Sequence, residues 1–168
     1  MRKFFKTVKG ISEWSGKIVS YLVYVGIIVL AIEVFARYFF NAPTVWAHGY
    51  SQRIFGSYFI LVGAYTLLKG GHVRVDILYI RLGLKGQAFL DMINYAVLLI
   101  WSSVLILEGW TFFAQSYKVR EVDEMVLAHP VYPFKFLLLI GSILIALHGV
   151  ALFIISLQTF VKGEKYEF

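Results

Sequence analysis

Four long apolar stretches dominate this chain and leave few folds open to it. They cover residues 18–40, 45–68, 88–113 and 134–161. Each meets the length of about 20 residues that an α-helix needs to cross a bilayer core about 30 Å thick. A helix also satisfies its own backbone hydrogen bonds, which an isolated strand in lipid cannot do. The sequence therefore predicts four transmembrane helices.

The composition favours a membrane protein over a water-soluble one. Hydrophobic residues make up 60% of the 168 residues and charged residues 15%, whereas soluble domains carry about 25% charged residues. A soluble chain of this length could not bury four such helices within its own core. We therefore expect an all-α membrane protein that forms a single domain over residues 1–168.

The distribution of Lys and Arg predicts the orientation of the helices. Eleven of these residues fall on one side of the predicted membrane and three on the other: Arg2, Lys3, Lys6, Lys9, Lys17, Lys69, Arg74, Arg81, Lys85, Lys162 and Lys165 against Lys118, Arg120 and Lys135. Because positive charge concentrates in the cytoplasm, both termini are expected there. The net charge of +6 then follows from topology, and no nucleic acid partner is implied.

Two further segments have the pattern of helices that lie on the membrane surface. Residues 1–17 place Phe, Val, Ile and Trp on one helical face and Lys, Arg and Glu on the other. A basic amphipathic helix of this kind rests at the level of the lipid headgroups. Residues 72–86 repeat the pattern after helix two, although their first residues alternate as a short strand would. We predict an interfacial helix in both segments.

Four charged side chains are predicted to lie in the outer half of the membrane, where charges are rare and costly: Glu33, Arg37, Arg53 and Glu108. Glu33 and Arg37 are four residues apart, so they can pair along one helix. Arg53 stands among small residues of helix two, a composition typical of close helix contacts. Since mutual pairing makes buried charges tolerable, we expect these four groups to form a neutralised structural network.

An ion path is the alternative role for these charges. Such a path usually needs acidic or His groups across the whole bilayer, whereas these cluster at one level. His148 lies near the middle of predicted helix four, where we expect a neutral imidazole hydrogen-bonded to a neighbour. A haem-binding cytochrome would need two His at one depth on facing helices. The four histidines, His48, His72, His129 and His148, do not match in depth.

His72 and Asp76 follow a Gly pair at the predicted cytoplasmic end of helix two. They are one helical turn apart, and we expect them to act as a polar staple at the membrane interface. Their spacing would also suit two metal ligands, but the sequence offers no third and fourth. The chain shows no nucleotide-binding loop and no Ser/His/Asp set, so the sequence predicts neither an enzyme nor a cofactor.

Two runs carry a family resemblance: EVFARYFFNAPTVW at residues 33–46, and GAYTLLKGGHVRVD at residues 63–76. Together they resemble the small permease subunit, of the DctQ type, of tripartite ATP-independent periplasmic (TRAP) transporters. One departure is that the family often carries an acidic residue just after the Trp, where this chain has His48 and Gly49. Arg53 is then expected to rely on Glu33 or Glu108.

The resemblance implies a division of labour in the bacterial inner membrane. A large membrane subunit would carry a small organic acid with sodium, and a periplasmic binding protein would capture that acid. This chain would pack on the large subunit and be surrounded by lipid. The loop over residues 114–133 would face the periplasm, where Glu121, Asp123 and Glu124 are expected to help dock the binding protein; the alternative is that this loop is only a solvated connector. A channel or an electron-transfer subunit that acts alone is the alternative.

Overall fold

Four long helices form the protein in the computed structural model, which describes residues 2–71, 79–124 and 128–164. They are α1 (Arg2–Phe39), α2 (Ala47–Leu68), α3 (Leu84–Lys118) and α4 (Tyr132–Lys162). Helix α4 carries a Pro in its first turn, where the missing N–H costs no hydrogen bond. It is followed by Gly163, whose φ of 71° is readily adopted by glycine. The expectation of an all-α chain is confirmed.

Three of the four helices are long and apolar enough to cross a membrane: residues Phe5–Phe39 of α1, all of α3 and all of α4. Helix α2, which covers most of the predicted span 45–68, is not among them. Its first turns contain Ser51, Gln52 and Arg53, which lower its mean hydropathy. Length and composition thus identify three membrane-crossing helices in the described residues, and the fourth span stays a prediction.

Helix α1 joins two segments that the sequence suggested as separate. Residues 2–17 of the predicted surface helix and residues 18–39 of the predicted span 18–40 form one continuous helix of 38 residues, about 57 Å long. No proline interrupts it, and a helix interior tolerates its glycines at modest cost. Placement of its first seventeen residues at the headgroup level stays a prediction. Of the second surface segment, residues 72–78 lie outside the described residues.

The helices pack side by side in a row rather than in a closed bundle. Helix α1 packs on α2, α2 on α4, and α4 on α3, while α1 also contacts α4. Helix α3 contacts neither α1 nor α2 within the described residues. The order across the row is therefore α1, α2, α4, α3.

Small residues let the helices of the row approach closely. Gly16 and Gly26 of α1 face the rings of Tyr65 and Phe55 of α2, so these two helices run antiparallel. Helix α3 meets α4 through a repeat with a spacing of seven residues: Ala88, Tyr95, Ser102, Gly109 and Ser116 are all buried. Small side chains at a helix contact allow close backbone approach, which is the common solution in membranes.

The row leaves an unusually large surface uncovered. The chain exposes 11255 Å², whereas a folded soluble monomer of 19.2 kDa would expose about 8,400 Å². Many of the exposed side chains are large and apolar, among them Tyr21, Phe59, Trp101 and Leu107. A surface of this kind is suited to lipid or to another membrane protein.

The contact between α2 and α4 should be sensitive to a single methyl group. A Cβ at Gly141 would lie 2.8 Å from the backbone oxygen of Ile60, whereas a Cβ at Gly56 would meet nothing within 4 Å. We expect Gly141→Ala to destabilise the chain by about 1–3 kcal/mol through overpacking. Gly56→Ala is the matched control and should be neutral or slightly stabilising.

Thermal unfolding of both variants in detergent measures the difference. Equal unfolding midpoints for the two variants would contradict the close approach of α2 and α4 at Gly141.

Candidate functional site

Charged side chains gather at one end of the row, where α1 and α3 end and where α2 and α4 begin. We call this the polar end. Three ion pairs lie there in the described part of the chain: Glu33 with Arg37, Arg53 with Asp123, and Glu121 with Lys135. Each pair has one acidic and one basic member, so these six charges neutralise each other within the chain.

Glu33 ties the end of α1 to the turn that leads into α2. Its Oε1 accepts a hydrogen bond from Arg37 Nε at 2.9 Å, and its Oε2 accepts one from the backbone N–H of Thr44 at 3.0 Å and one from the Thr44 hydroxyl. The Glu33 side chain is 13% exposed and that of Arg37 is 54% exposed. The carboxylate is therefore shielded, while the guanidinium stays accessible.

Arg53 of α2 pairs with Asp123, which lies in the segment between α3 and α4. Both side chains are largely buried, and the Arg53 guanidinium also lies 5.3 Å from the ring centroid of Phe134. Asp123 further accepts a hydrogen bond from the backbone N–H of His129 at 3.2 Å. The pair thus holds Asp123, in the loop 119–131, against the first turns of α2 and α4.

This partner of Arg53 differs from those the sequence suggested. Glu33 is engaged by Arg37 and Thr44, and Glu108 lies on α3, which does not contact α2. Asp123 is 70 residues from Arg53. No spacing rule connects the two, because their contact depends on how the loop returns over the helices. The sequence offered one hint of this contact, which was an acidic side chain in that loop without an obvious basic partner.

Glu121 and Lys135 form a second link between the loop and α4. Lys135 Nζ donates to Glu121 Oε2 at 2.5 Å and lies 5.0 Å from the ring centroid of Phe112. The Lys135 ammonium lowers the pKa of the Glu121 carboxyl. Of the three carboxylates expected to dock a binding protein, Glu121 and Asp123 are therefore paired within the chain, and Glu124 is exposed.

Glu108 stands apart from the other charges. It is exposed on α3, and its neighbour Gly109 packs against Leu139 of α4. Since α3 does not contact α1 or α2 in the described residues, the structure does not bring Glu108 together with Glu33, Arg37 or Arg53. Of the four groups expected to form one network, Glu33 and Arg37 pair on α1, Arg53 pairs with Asp123 instead, and Glu108 is separate.

Two polar contacts lie away from the polar end, and the sequence did not predict which residues form them. Buried His148 of α4 has its Nδ1 3.2 Å from the Oγ of Ser12, which joins the first part of α1 to α4. Tyr79 donates its hydroxyl to Asp91 of α3 at 2.9 Å. His72 and Asp76, the expected staple, lie outside the described residues.

The arrangement stabilises helix ends and a loop rather than assembling reactive groups. In the described ranges, no three His, Asp or Glu side chains come together as a metal site would require. A cavity of about 260 Å³ next to the Arg53–Asp123 pair is lined mainly by small and apolar side chains, among them Gly56, Ile60 and Phe134. Its charged groups are already paired with each other.

An all-helical chain with three membrane-crossing helices and a self-neutralised polar end is an integral membrane component. The family model that matches it describes tripartite ATP-independent periplasmic transporters, DctQ component, and the match covers residues 26–159. The chain belongs to this DctQ family, which supplies the small membrane subunit of TRAP transporters and is not an enzyme family. Among curated proteins, none matches this chain.

The Arg53–Asp123 pair should show strong coupling in a double-mutant cycle. Removing one member of a buried ion pair strands the other charge, which typically costs about 3–5 kcal/mol. We expect Arg53→Ala and Asp123→Ala each to lower stability toward the low end of that range, since both groups keep some solvent contact. The double variant should lose little more than either single variant.

Thermal unfolding and protease cleavage of the loop 119–131 measure the cycle. Glu124→Ala, in the same loop but exposed, is the control and should change stability by less than about 0.5 kcal/mol. Additive losses in the double variant would show that Arg53 and Asp123 do not stabilise each other.

Proposed function

We propose that this chain is the scaffold subunit of a sodium-coupled, binding-protein-dependent transporter for small organic acids. It packs against the large membrane subunit and widens the fixed part of the transporter within the bilayer. The observation that carries this proposal is the open row of helices. A chain of this size that buries so few of its large apolar side chains has the surface needed to pack against a second membrane protein.

Four spans with both termini in the cytoplasm fit this role. Helix α2 lies between α1 and α4, so Ser51 in its first turns is buried and Arg53 is shielded by its pair with Asp123, while Gln52 stays exposed. Helix α1 runs antiparallel to α2, and contacts of Gly63 with Ile145 and of Gly141 with Ile60 make α2 parallel to α4. Because α2 is aligned with two membrane-crossing neighbours, it crosses the membrane together with them. The membrane in this proposal is the inner membrane of a bacterium.

Substrate and sodium recognition belong to other chains in this proposal. Several polar groups at the polar end are engaged in pairs that hold helices and a loop together, as in Glu33 with Thr44 and Arg53 with Asp123. Carriers bind substrate where helices break near the middle of the membrane, and α1 to α4 are continuous over their lengths. The acidic character of the substrate comes from the family resemblance.

The loop 119–131 is our candidate contact for the periplasmic binding protein. Ion pairs of Asp123 with α2 and of Glu121 with α4 hold the first part of this loop in place, which lowers the entropy cost of docking. Lys118, Arg120 and Glu124 remain exposed around it. Charges at a transient interface mainly set the encounter rate and its salt dependence, so these three side chains are better placed for docking than paired Glu121 and Asp123.

Coexpression with the large subunit of the same transporter tests the proposal. The chain should copurify with that subunit in equal amounts. Uptake of an organic acid into proteoliposomes should require both membrane subunits, the binding protein and an inward sodium gradient. The large subunit without this chain is the control, and it should be inactive or poorly folded.

Two results would contradict the proposal. One is uptake or ion conduction by this chain alone at the rate of the full system. The other is a large subunit that is stable and fully active in the absence of this chain.

A further inference from the structure

Glu108 differs from the other acidic side chains of the helices. Among the described residues, Glu13, Glu33 and Asp91 are partly buried, whereas Glu108 is exposed. None of the ion pairs and hydrogen bonds within the described residues includes it. An exposed carboxylate is ordinary in water, but this one stands on a helix that is apolar enough to cross a membrane.

Glu108 lies within the apolar helix α3, almost three turns from the end of that helix. Lys118, at the end of the helix, is ten positions after Glu108, which corresponds to about 15 Å along the axis. The adjacent Gly109 faces Leu139 at 3.7 Å, and Leu139 is two turns into α4. Glu108 is therefore about two turns inward from the level at which α4 begins.

A charge at this depth normally pairs with a cation or faces the interior of a protein. Glu33 shows how this chain satisfies a carboxylate by itself, through Arg37 and Thr44. No such group of α1 or α2 is available to Glu108, because neither helix contacts α3. Lys135 of α4 is engaged by Glu121. The group that pairs with Glu108 must then come from outside the described residues.

The side chains around Glu108 form a continuous surface along α3. Val97, Trp101, Val104, Glu108 and Phe112 are spaced by four or three residues, so they share one side of the helix. We call this surface the Glu108 face. Its apolar members are all exposed, from 45% for Val104 to 63% for Trp101. It is distinct from the buried stripe of small residues by which α3 packs on α4.

The surface continues at the polar end into a recess. A cavity of about 330 Å³ is lined by Phe112, Gln115 and Lys135 together with part of the loop 119–131. Phe112 belongs to both the recess and the Glu108 face. A partner that covers the face could therefore also place a side chain in the recess, beside polar groups that point out of the lipid.

We propose that the Glu108 face binds a membrane-spanning helix of the large subunit and that this helix presents an Arg or Lys side chain to Glu108. The inference rests on the proposed function, and it specifies the face and the chemistry of the contact. We expect the partner to be a helix, because a helix can lie along α3 through the bilayer while it forms all its backbone hydrogen bonds internally. Exposed Trp and Phe next to a single charge are typical of interface anchors.

The edge helix α1 is the natural comparison. It too exposes a long apolar face, with Val34 50% exposed near Glu33. Its carboxylate is already neutralised within the chain, however, so α1 can face lipid without a stranded charge. Val104 and Val34 therefore form a matched pair of probes: the same residue type and similar exposure, on the two edges of the row.

Single cysteines at these two positions test the face directly, because the chain contains no other cysteine. A lipid-soluble maleimide is applied to Val104→Cys and Val34→Cys, with the chain alone in lipid nanodiscs and in the complex with the large subunit. We expect labelling of Val104→Cys to slow several-fold in the complex, with labelling of Val34→Cys unchanged. Protection of Val34→Cys in place of Val104→Cys would overturn the proposal.

Charge variants test the predicted pairing. Glu108→Lys would bring like charges together at the contact, so the yield of complex should fall about tenfold or more, whereas Glu108→Gln should lose less. Glu164→Lys, at an exposed site after α4, is the control and should leave the yield unchanged. A normal yield of complex with Glu108→Lys would overturn the pairing, even with Val104 protected.

The remaining outcomes separate this inference from the function on which it rests. A complex that copurifies normally but labels at Val104→Cys as fast as the free chain refutes the face and leaves the scaffold function intact. Failure of the unmodified chain to form the complex refutes the function itself. Slow labelling of Val104→Cys already in the free chain would overturn the proposal, because the face is then covered without the large subunit. A disulfide between two Val104→Cys chains assigns it to a second copy.

Discussion

Close approach of the helices over glycine is the interaction on which the rest of the structure depends. The rings of Tyr65 and Phe55 lie over Gly16 and Gly26, and Ile60 lies over Gly141. These contacts place α2 between α1 and α4 and leave α3 to pack on α4 alone. The row that results has two edges and two broad sides, and little of its apolar surface is covered from within.

The polar end follows from this geometry. Because α1 and α2 are held close together, Glu33 can reach back to Thr44 in the turn between them. Because α2 and α4 run parallel side by side, Arg53 and Phe134 stand next to each other, and the loop 119–131 can bring Asp123 onto the same guanidinium. Each pair removes a charge that lipid would penalise. Glu108, at the far edge of the row, is left without such a neighbour.

Hydropathy and length were enough to predict the all-α class and the approximate helix positions, since these depend on the local chain alone. The resemblance at residues 33–46 and 63–76 was enough to indicate the family to which the chain belongs. The continuity of α1 was not predictable, because the change from a basic to an apolar pattern near Ile18 carries no information about backbone direction. The partner of Arg53 was also missed, because periodicity identifies the face of a helix but not which loop covers it.

The distance between the two edges of the row tests most directly whether the helices form an open row or a closed bundle. Spin labels at Tyr21 of α1 and Leu107 of α3, both highly exposed, can be compared with labels at Tyr21 and Phe59 of α2 in the assembled complex. With interaxial spacings of about 8–10 Å, the α1–α3 separation should be roughly 20–30 Å, two to three times the α1–α2 separation. Similar distances for the two label pairs would show a closed bundle and would contradict a scaffold that a partner subunit completes.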